Sequence, residues 1–129
     1  MVFIATNKDA FDVMPSGRPQ PAGGVMAAAL EHATGRVATL VGKPSKILGD
    51  MLESGLGVDL SASLFVGDRM DTDIEFGHNN GCDTCLVLSG CTTGNDVNGF
   101  AAEGGTGRPL PTIIIPSLGH FSTKFSSNL

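Results

Sequence analysis

The sequence predicts an α/β fold built on a mostly parallel sheet. Three observations carry that expectation. Short β-branched apolar runs, each closed by Gly, Pro, Asn or Asp, alternate with amphipathic stretches, the pattern of βαβ units. No internal repeat or heptad interrupts the alternation. The 129 residues hold 18 Gly and seven Phe but no Trp or Tyr, a composition suited to a tight, turn-rich chain of about one domain.

The elements follow in order. Residues 2–5 read as a strand ending at Thr6-Asn7, and residues 8–21 as a polar loop because Pro15, Gly17, Pro19 and Pro21 punctuate them. Residues 22–34 read as a helix with Val25, Ala29, Leu30 and Ala33 on one side and Gly35 as its left-handed stop. Residues 37–41 form the next strand, cut off by Gly42-Lys43-Pro44. A second helix over 45–54 carries Ile47, Leu48, Met51 and Leu52 on one face and stops at Gly55. Residues 64–66 form a short buried strand running into Gly67-Asp68. Thr72-Asp73-Ile74-Glu75 has the form of a capping box and opens a helix over 72–80. Residues 85–88 are a strand, a Gly-rich connection with a helix near 97–102 follows, 113–115 is the last strand and 118–125 a terminal helix.

Composition excludes several classes. Eight Lys+Arg against 13 Asp+Glu give a net charge of −5, with no basic stripe for a phosphate backbone, so nucleic acid is not an expected partner. No apolar run approaches the roughly 18 residues of a membrane span, and no secretory leader pattern follows Met1, so no membrane role is expected. Three Cys fit a reducing, cytoplasmic setting. Cys82 and Cys85 form a C-x-x-C without a second pair, in an apolar stretch where packing outweighs metal or redox work. His32, His78 and His120 share no ligand spacing. There is no Walker loop, because six residues separate Gly35 from Gly42-Lys43 and Pro44 follows; neither G-x-G-x-x-G nor G-x-S-x-G occurs.

Ligands of open α/β sheets bind outside the carboxyl ends of the strands. Lys43 follows the strand 37–41 and Asp68 follows 64–66, with Asp71 and Asp73 close behind. Carboxylates with water suit a hard divalent cation such as Mg²⁺, and a lysine adds a point charge for phosphate oxygens. The set therefore suggests phosphoryl chemistry. The spacing alone leaves plainer readings open: Lys43 as a solvated loop residue, Asp71 and Asp73 as acids favoured in a helix's first turn.

A larger pattern narrows the choice. Val41-Gly42-Lys43-Pro44-Ser45, followed by the segment Phe65-Val66-Gly67-Asp68-Arg69-Met70-Asp71-Thr72-Asp73-Ile74, resembles the third and fourth motifs of the haloacid dehalogenase-like phosphatases. Phe3-Ile4-Ala5-Thr6-Asn7-Lys8-Asp9, Ala29-Leu30-Glu31-His32-Ala33-Thr34-Gly35-Arg36 and Leu86-Val87-Leu88-Ser89-Gly90 are similar to the branch containing pyridoxal phosphate, phosphoglycolate and 4-nitrophenyl phosphatases. The resemblance implies a doubly wound, Rossmann-like core and hydrolysis of phosphomonoesters through an aspartyl-phosphate with Mg²⁺. It implies that Lys43 holds phosphoryl oxygens, Asp68 ligates the metal, and Asp73 supports the metal's waters or the lysine. Gly42, Gly67 and Thr72 complete the motifs. Asn7 and Asp9 match the segment returning from the cap domain and take a supporting role, while Asp71 falls at a variable position.

The family's D-x-D-G, which carries the nucleophile and the general acid/base on the first strand, has no counterpart here. Asp71-Thr72-Asp73 is a decoy, opening a helix with no Gly after it. The chain thus resembles the C-terminal half of such an enzyme: residues 1–21 the end of the cap and the return segment, 22–129 the C-terminal part of a core lacking its nucleophile-bearing central strand. The resemblance further implies a small phosphorylated metabolite as substrate and a homo-oligomer when the protein is complete. Residues 1–129 alone are expected to be inactive, and marginally stable or self-associating. The alternative is a catalytically inert truncated protein that acts as a binding module.

Overall fold

The computed structural model describes residues 1–102, 107 and 109–125. The elements are β1 (Ile4–Ala5), β2 (Phe11–Val13), β3 (Pro19–Pro21), α1 (Gly23–Thr34), β4 (Thr39–Leu40), α2 (Lys46–Leu56), β5 (Leu64–Gly67), α3 (Glu75–Asn79), β6 (Asp83–Val87), α4 (Gly94–Ala102), β7 (Ile113–Ile115) and α5 (His120–Phe125). A 3₁₀ turn at Leu60–Ala62 precedes β5, and a π-helical turn at Met70–Ile74 joins β5 to α3. No helix among these residues is long and apolar enough to cross a membrane.

The parallel strands do not form one sheet. β1 pairs with β4, Ile4 opposite Thr39 and Ala5 opposite Leu40. β5, β6 and β7 form a second parallel ladder in that order, Val66 opposite Cys85 and Cys85 opposite Ile113. The α/β class and the parallel pairing agree with the sequence expectation, and no strand among the described residues bridges the two ladders.

Each ladder has its own core. Ala5, Ala27 and Ala38 pack under α1 with Phe3 and Leu40. Met70, Ile74 and Leu86 pack with Leu88 and Val97, and the rings of Phe65 and Phe76 meet at 4.7 Å. Phe76, Ile74, Leu86 and Cys85 are fully buried, each large apolar side chain contributing about 1.5–3 kcal/mol. The second core therefore gives β5 and the turn after it a firm base. Cys82 and Cys85 are buried free thiols, in keeping with the packing reading.

Several elements depart from the sequence reading. Residues 8–21 are not a plain loop: β2 and β3 pair as an antiparallel hairpin, Phe11 opposite Pro21, turning through Gly17 at φ 77°. Prolines in a run argue against a central strand, but an isolated two-stranded ribbon accommodates them. α2 passes Gly55 and ends at Gly57, φ 66°, because Gly57 takes the left-handed position that closes the last turn. The capping box at Thr72 does not form. The π-helical turn opens the helix instead, and the Thr72 hydroxyl is buried with no hydrogen-bond partner among the described residues. A capping box forms at α4, where Asp96 accepts from the Thr93 amide at 2.7 Å and donates its own amide to the Thr93 hydroxyl at 3.4 Å. The Thr93 hydroxyl, donating to the Asp96 carboxyl at 2.6 Å, and after it the Thr93 amide hold that carboxyl below the usual range.

Candidate active site

The chain after β4 is forced into a sharp turn. Gly42 lies so close to the Thr6 carbonyl that any Cβ would collide with it, so β1 and the turn pack backbone to backbone. The Ser45 amide donates to the Gly42 carbonyl at 2.9 Å, and the Ser45 hydroxyl caps α2 by accepting from the Ile47 amide at 3.1 Å. Between them the Lys43–Pro44 peptide is cis. Asn79 donates to the Pro44 carbonyl at 3.1 Å, and Gly49 of α2 meets Asn80 without room for a side chain. The lysine turn is thus braced against the end of α3.

Lys43 reaches across to the second ladder. Its ammonium donates to Asp73 Oδ1 at 2.6 Å, Lys43 being half-exposed and the Asp73 side chain 4% exposed. The other oxygen, Asp73 Oδ2, accepts the backbone amides of both Asp68 and Arg69 at 3.0 Å. One buried carboxylate therefore carries three donors, a charge-assisted arrangement that fixes the loop after β5. Gly67 must be glycine for the same reason: a Cβ there would strike the Asp73 carboxylate.

Asp68 is held from the far side. Its Oδ2 accepts from the Cys91 amide at 2.7 Å, its carbonyl accepts from the Thr92 amide at 3.1 Å, and Gly90 approaches the carboxylate too closely for any side chain. Burial pushes the Cys91 thiol up, and the Asp68 charge adds to this. Among the described residues no backbone amide donates to Asp68 Oδ1, so that oxygen can serve a hard cation. Among the described residues no group of three or more His, Cys, Asp or Glu stands ready to hold a metal. Asp68 fits as a single carboxylate ligand to a cation that keeps most of its waters, the usual habit of Mg²⁺.

Lys43, Asp68 and Asp73 thus come together where β4 and β5 end, and the lysine's ion-pair partner is Asp73 rather than Asp68. Thr72 lies inside the turn between the acids. Asn7 and Asp9 do not join them. Asn7 accepts the Asp9 amide at 3.3 Å and lies against Gly23, while Asp9 lies 3.8 Å from Arg69. Asp71 grips Arg69 through both oxygens, at 3.1 and 2.8 Å, instead of serving a helix terminus alone. Sequence reasoning gave Arg69 no role, although it stands directly after Asp68 and bonds Asp71. Those bonds raise its pKa further, so it stays charged.

With this geometry in view, comparison with known proteins is specific. The HAD-hydrolase-like family profile matches residues 40–119, from the strand before Lys43 to beyond β7. Phosphoglycolate phosphatase 1A, chloroplastic, of Arabidopsis thaliana is 47% identical over 92 residues, which are 71% of this chain and 25% of that protein. The p-nitrophenyl phosphatase structure from Archaeoglobus fulgidus superposes with a TM-score of 0.77 at 32% identity, over 96% of this chain and 46% of that one. A glycerol phosphate phosphatase of Mycobacterium tuberculosis, solved in complex with magnesium, gives 0.71 at 32% identity over 91% and 33%. The chain spans less than half the length of each of these relatives. With both sequence and fold in agreement, the chain belongs to the haloacid dehalogenase-like hydrolases, in the phosphatase branch that its motifs resemble.

Proposed function

We propose that these residues form the phosphate-orienting and metal-orienting half of a Mg²⁺-dependent phosphomonoester hydrolase, and that the nucleophilic aspartate lies in a segment outside them. The observation that carries this reading is the chain of contacts from the Lys43 ammonium through the Asp73 carboxylate to the backbone of Asp68. Lys43 would hold the transferring phosphoryl oxygens, and Asp73 would fix both the lysine and the loop. Asp68 would be the carboxylate ligand of the metal, which when bound supplies neutralising charge to the phosphoryl group. The phosphoryl group would pass to the aspartate outside these residues and then to water.

On this reading residues 1–21 close a cap domain, 22–129 belong to the core, and the strand bearing the nucleophile is a separate part of the sheet. The substrate is a small phosphorylated metabolite. The complete protein is a homo-oligomer, and three free Cys suit a reducing compartment such as the cytoplasm. Large apolar side chains left exposed, Val2, Met26, Val37 and Leu56 among them, support the view that further protein covers this chain. They equally favour the second reading, an inert truncated chain that binds a partner.

Hydrolysis of 4-nitrophenyl phosphate with Mg²⁺ decides between them. Residues 1–129 alone should give no turnover, whereas a longer chain carrying D-x-D-G ahead of them should. Turnover by the short chain would overturn the claim that the nucleophile lies outside these residues, and a stop codon directly upstream of Met1 would favour the inert reading over the phosphatase reading.

A further inference from the structure

A cavity of about 270 Å³ lies beside the residues that hold Asp68, its wall including Phe11, Arg69, Cys91 and Thr92 together with the acids Asp71 and Asp96. Two of these residues already hold Asp68, through the amides of Cys91 and Thr92. Phe11 comes from elsewhere: it lies on β2, 58 residues before Arg69, in a hairpin that has little core of its own. One side chain from the loop after β5 reaches it directly. Arg69 Nη1 donates to the Phe11 carbonyl at 2.9 Å, and the guanidinium carbon stands 5.2 Å from the Phe11 ring centroid. Asp9, just before the hairpin, is 3.8 Å away on the same group. Asp71 takes the remaining edge of the guanidinium in a two-pronged grip, and the Arg69 side chain is 11% exposed. The Arg69 amide meanwhile donates to Asp73. A planar fork of five donors can meet a ring face, a carbonyl and a carboxylate at once; an ammonium cannot.

We propose that Arg69 is a positioning residue that sets Phe11 as the wall against which the alcohol or phenol portion of a phosphomonoester rests, while Lys43 and Asp68 take the phosphoryl end. The inference rests on the phosphatase reading above. It locates part of the discrimination among leaving groups in the hairpin of this chain. Arg69 touches no reacting atom; it acts through Phe11.

The test uses the full-length protein that carries these residues, with 4-nitrophenyl phosphate as substrate and inorganic phosphate as inhibitor. Phosphate shares the phosphoryl end and lacks the leaving group, so it separates the two parts of the site. Arg69→Lys and Phe11→Ala should each raise KM for 4-nitrophenyl phosphate roughly threefold to tenfold, as loss of one aromatic contact implies, with kcat changed less than about twofold. The Ki of phosphate should stay unchanged, and Phe11→Leu should recover part of the KM. An unchanged KM in Phe11→Ala, a partly exposed site whose truncation spares both cores, would overturn the proposal and leave the phosphatase reading standing. A parallel rise in KM and Ki with a fall in kcat would make Arg69 a mere strut of the acidic loop and would also overturn it. No hydrolysis by the wild-type full-length protein would overturn the phosphatase reading, and the proposal with it.

Discussion

Asp73 accepts three hydrogen bonds at the centre of the site, and replacing it gives the sharpest test of how the acidic loop is held. Its carboxylate accepts from two backbone amides at 3.0 Å and from the Lys43 ammonium at 2.6 Å, and the residue is 2% exposed. In Asp73→Asn one oxygen still faces the amides, but the new NH₂ faces Lys43, donor against donor. A hydrogen bond to a charged group contributes about 1.5–3 kcal/mol, and the half-exposed lysine places this one toward the lower end. Asp73→Asn should therefore destabilise the chain by about 2 kcal/mol. Asp73→Ala also orphans the two amides and should cost about 3–5 kcal/mol. With a urea slope of about 2 kcal/mol per molar, the circular dichroism midpoint should fall by about 1.5–2.5 M in the alanine variant. A cycle with Lys43→Met should give a coupling of about 1–2 kcal/mol. A loss below about 0.5 kcal/mol in Asp73→Ala, or no coupling to Lys43, would refute the reasoning.

Other substitutions separate close approach from mere glycine content. Gly67→Ala should destabilise by about 1–3 kcal/mol, since its Cβ meets the Asp73 carboxylate, whereas Gly55→Ala, in helix α2 with nothing within 4 Å, should stabilise by about 0.5 kcal/mol; urea midpoints read both. Glu31 ties α1 to the start of β4: its Oε1 accepts from the Ala38 amide at 2.9 Å and from Lys8 at 3.1 Å, and the amide bond first, Lys8 second, draws its pKa below 4.5. A carboxyl lowered in the folded state adds stability that is fully present above its unfolded value of 4.5 and is lost as pH falls through the lowered one. Glu31→Gln should therefore flatten the acid limb of the stability–pH curve below 4.5; an unchanged limb would count against that bond.

Much of this arrangement is legible in the chain, and the physical reason differs by element. α1 and its Gly35 stop follow from local pattern, because apolar spacing and a left-handed glycine are short-range properties. The meeting of Lys43, Asp68 and Asp73 follows from strand ends in a parallel architecture. The division into two ladders is not local: pairing partners are chosen over tens of residues, and nothing in residues 37–41 or 64–66 states what lies between them. The hairpin at Phe11 was hidden by its prolines, which mark a loop in most contexts. Thr72 reads as a cap, but the helical turn begins two residues earlier, at Met70, so Thr72 lies inside it rather than at its start. Arg69 was passed over because its partners lie at 9, 11 and 71, two of them remote in sequence.

The central claim is that an ammonium and a metal-binding carboxylate, supplied by the ends of β4 and β5 in two separate ladders, act on one phosphoryl group. Steady-state hydrolysis of 4-nitrophenyl phosphate by the full-length protein, titrated with Mg²⁺, measures both halves in one experiment. Lys43→Ala should lower kcat by at least roughly a hundredfold at saturating metal, and Asp68→Asn should shift the Mg²⁺ dependence to higher concentration. Wild-type turnover and an unshifted Mg²⁺ curve in both variants would contradict the account.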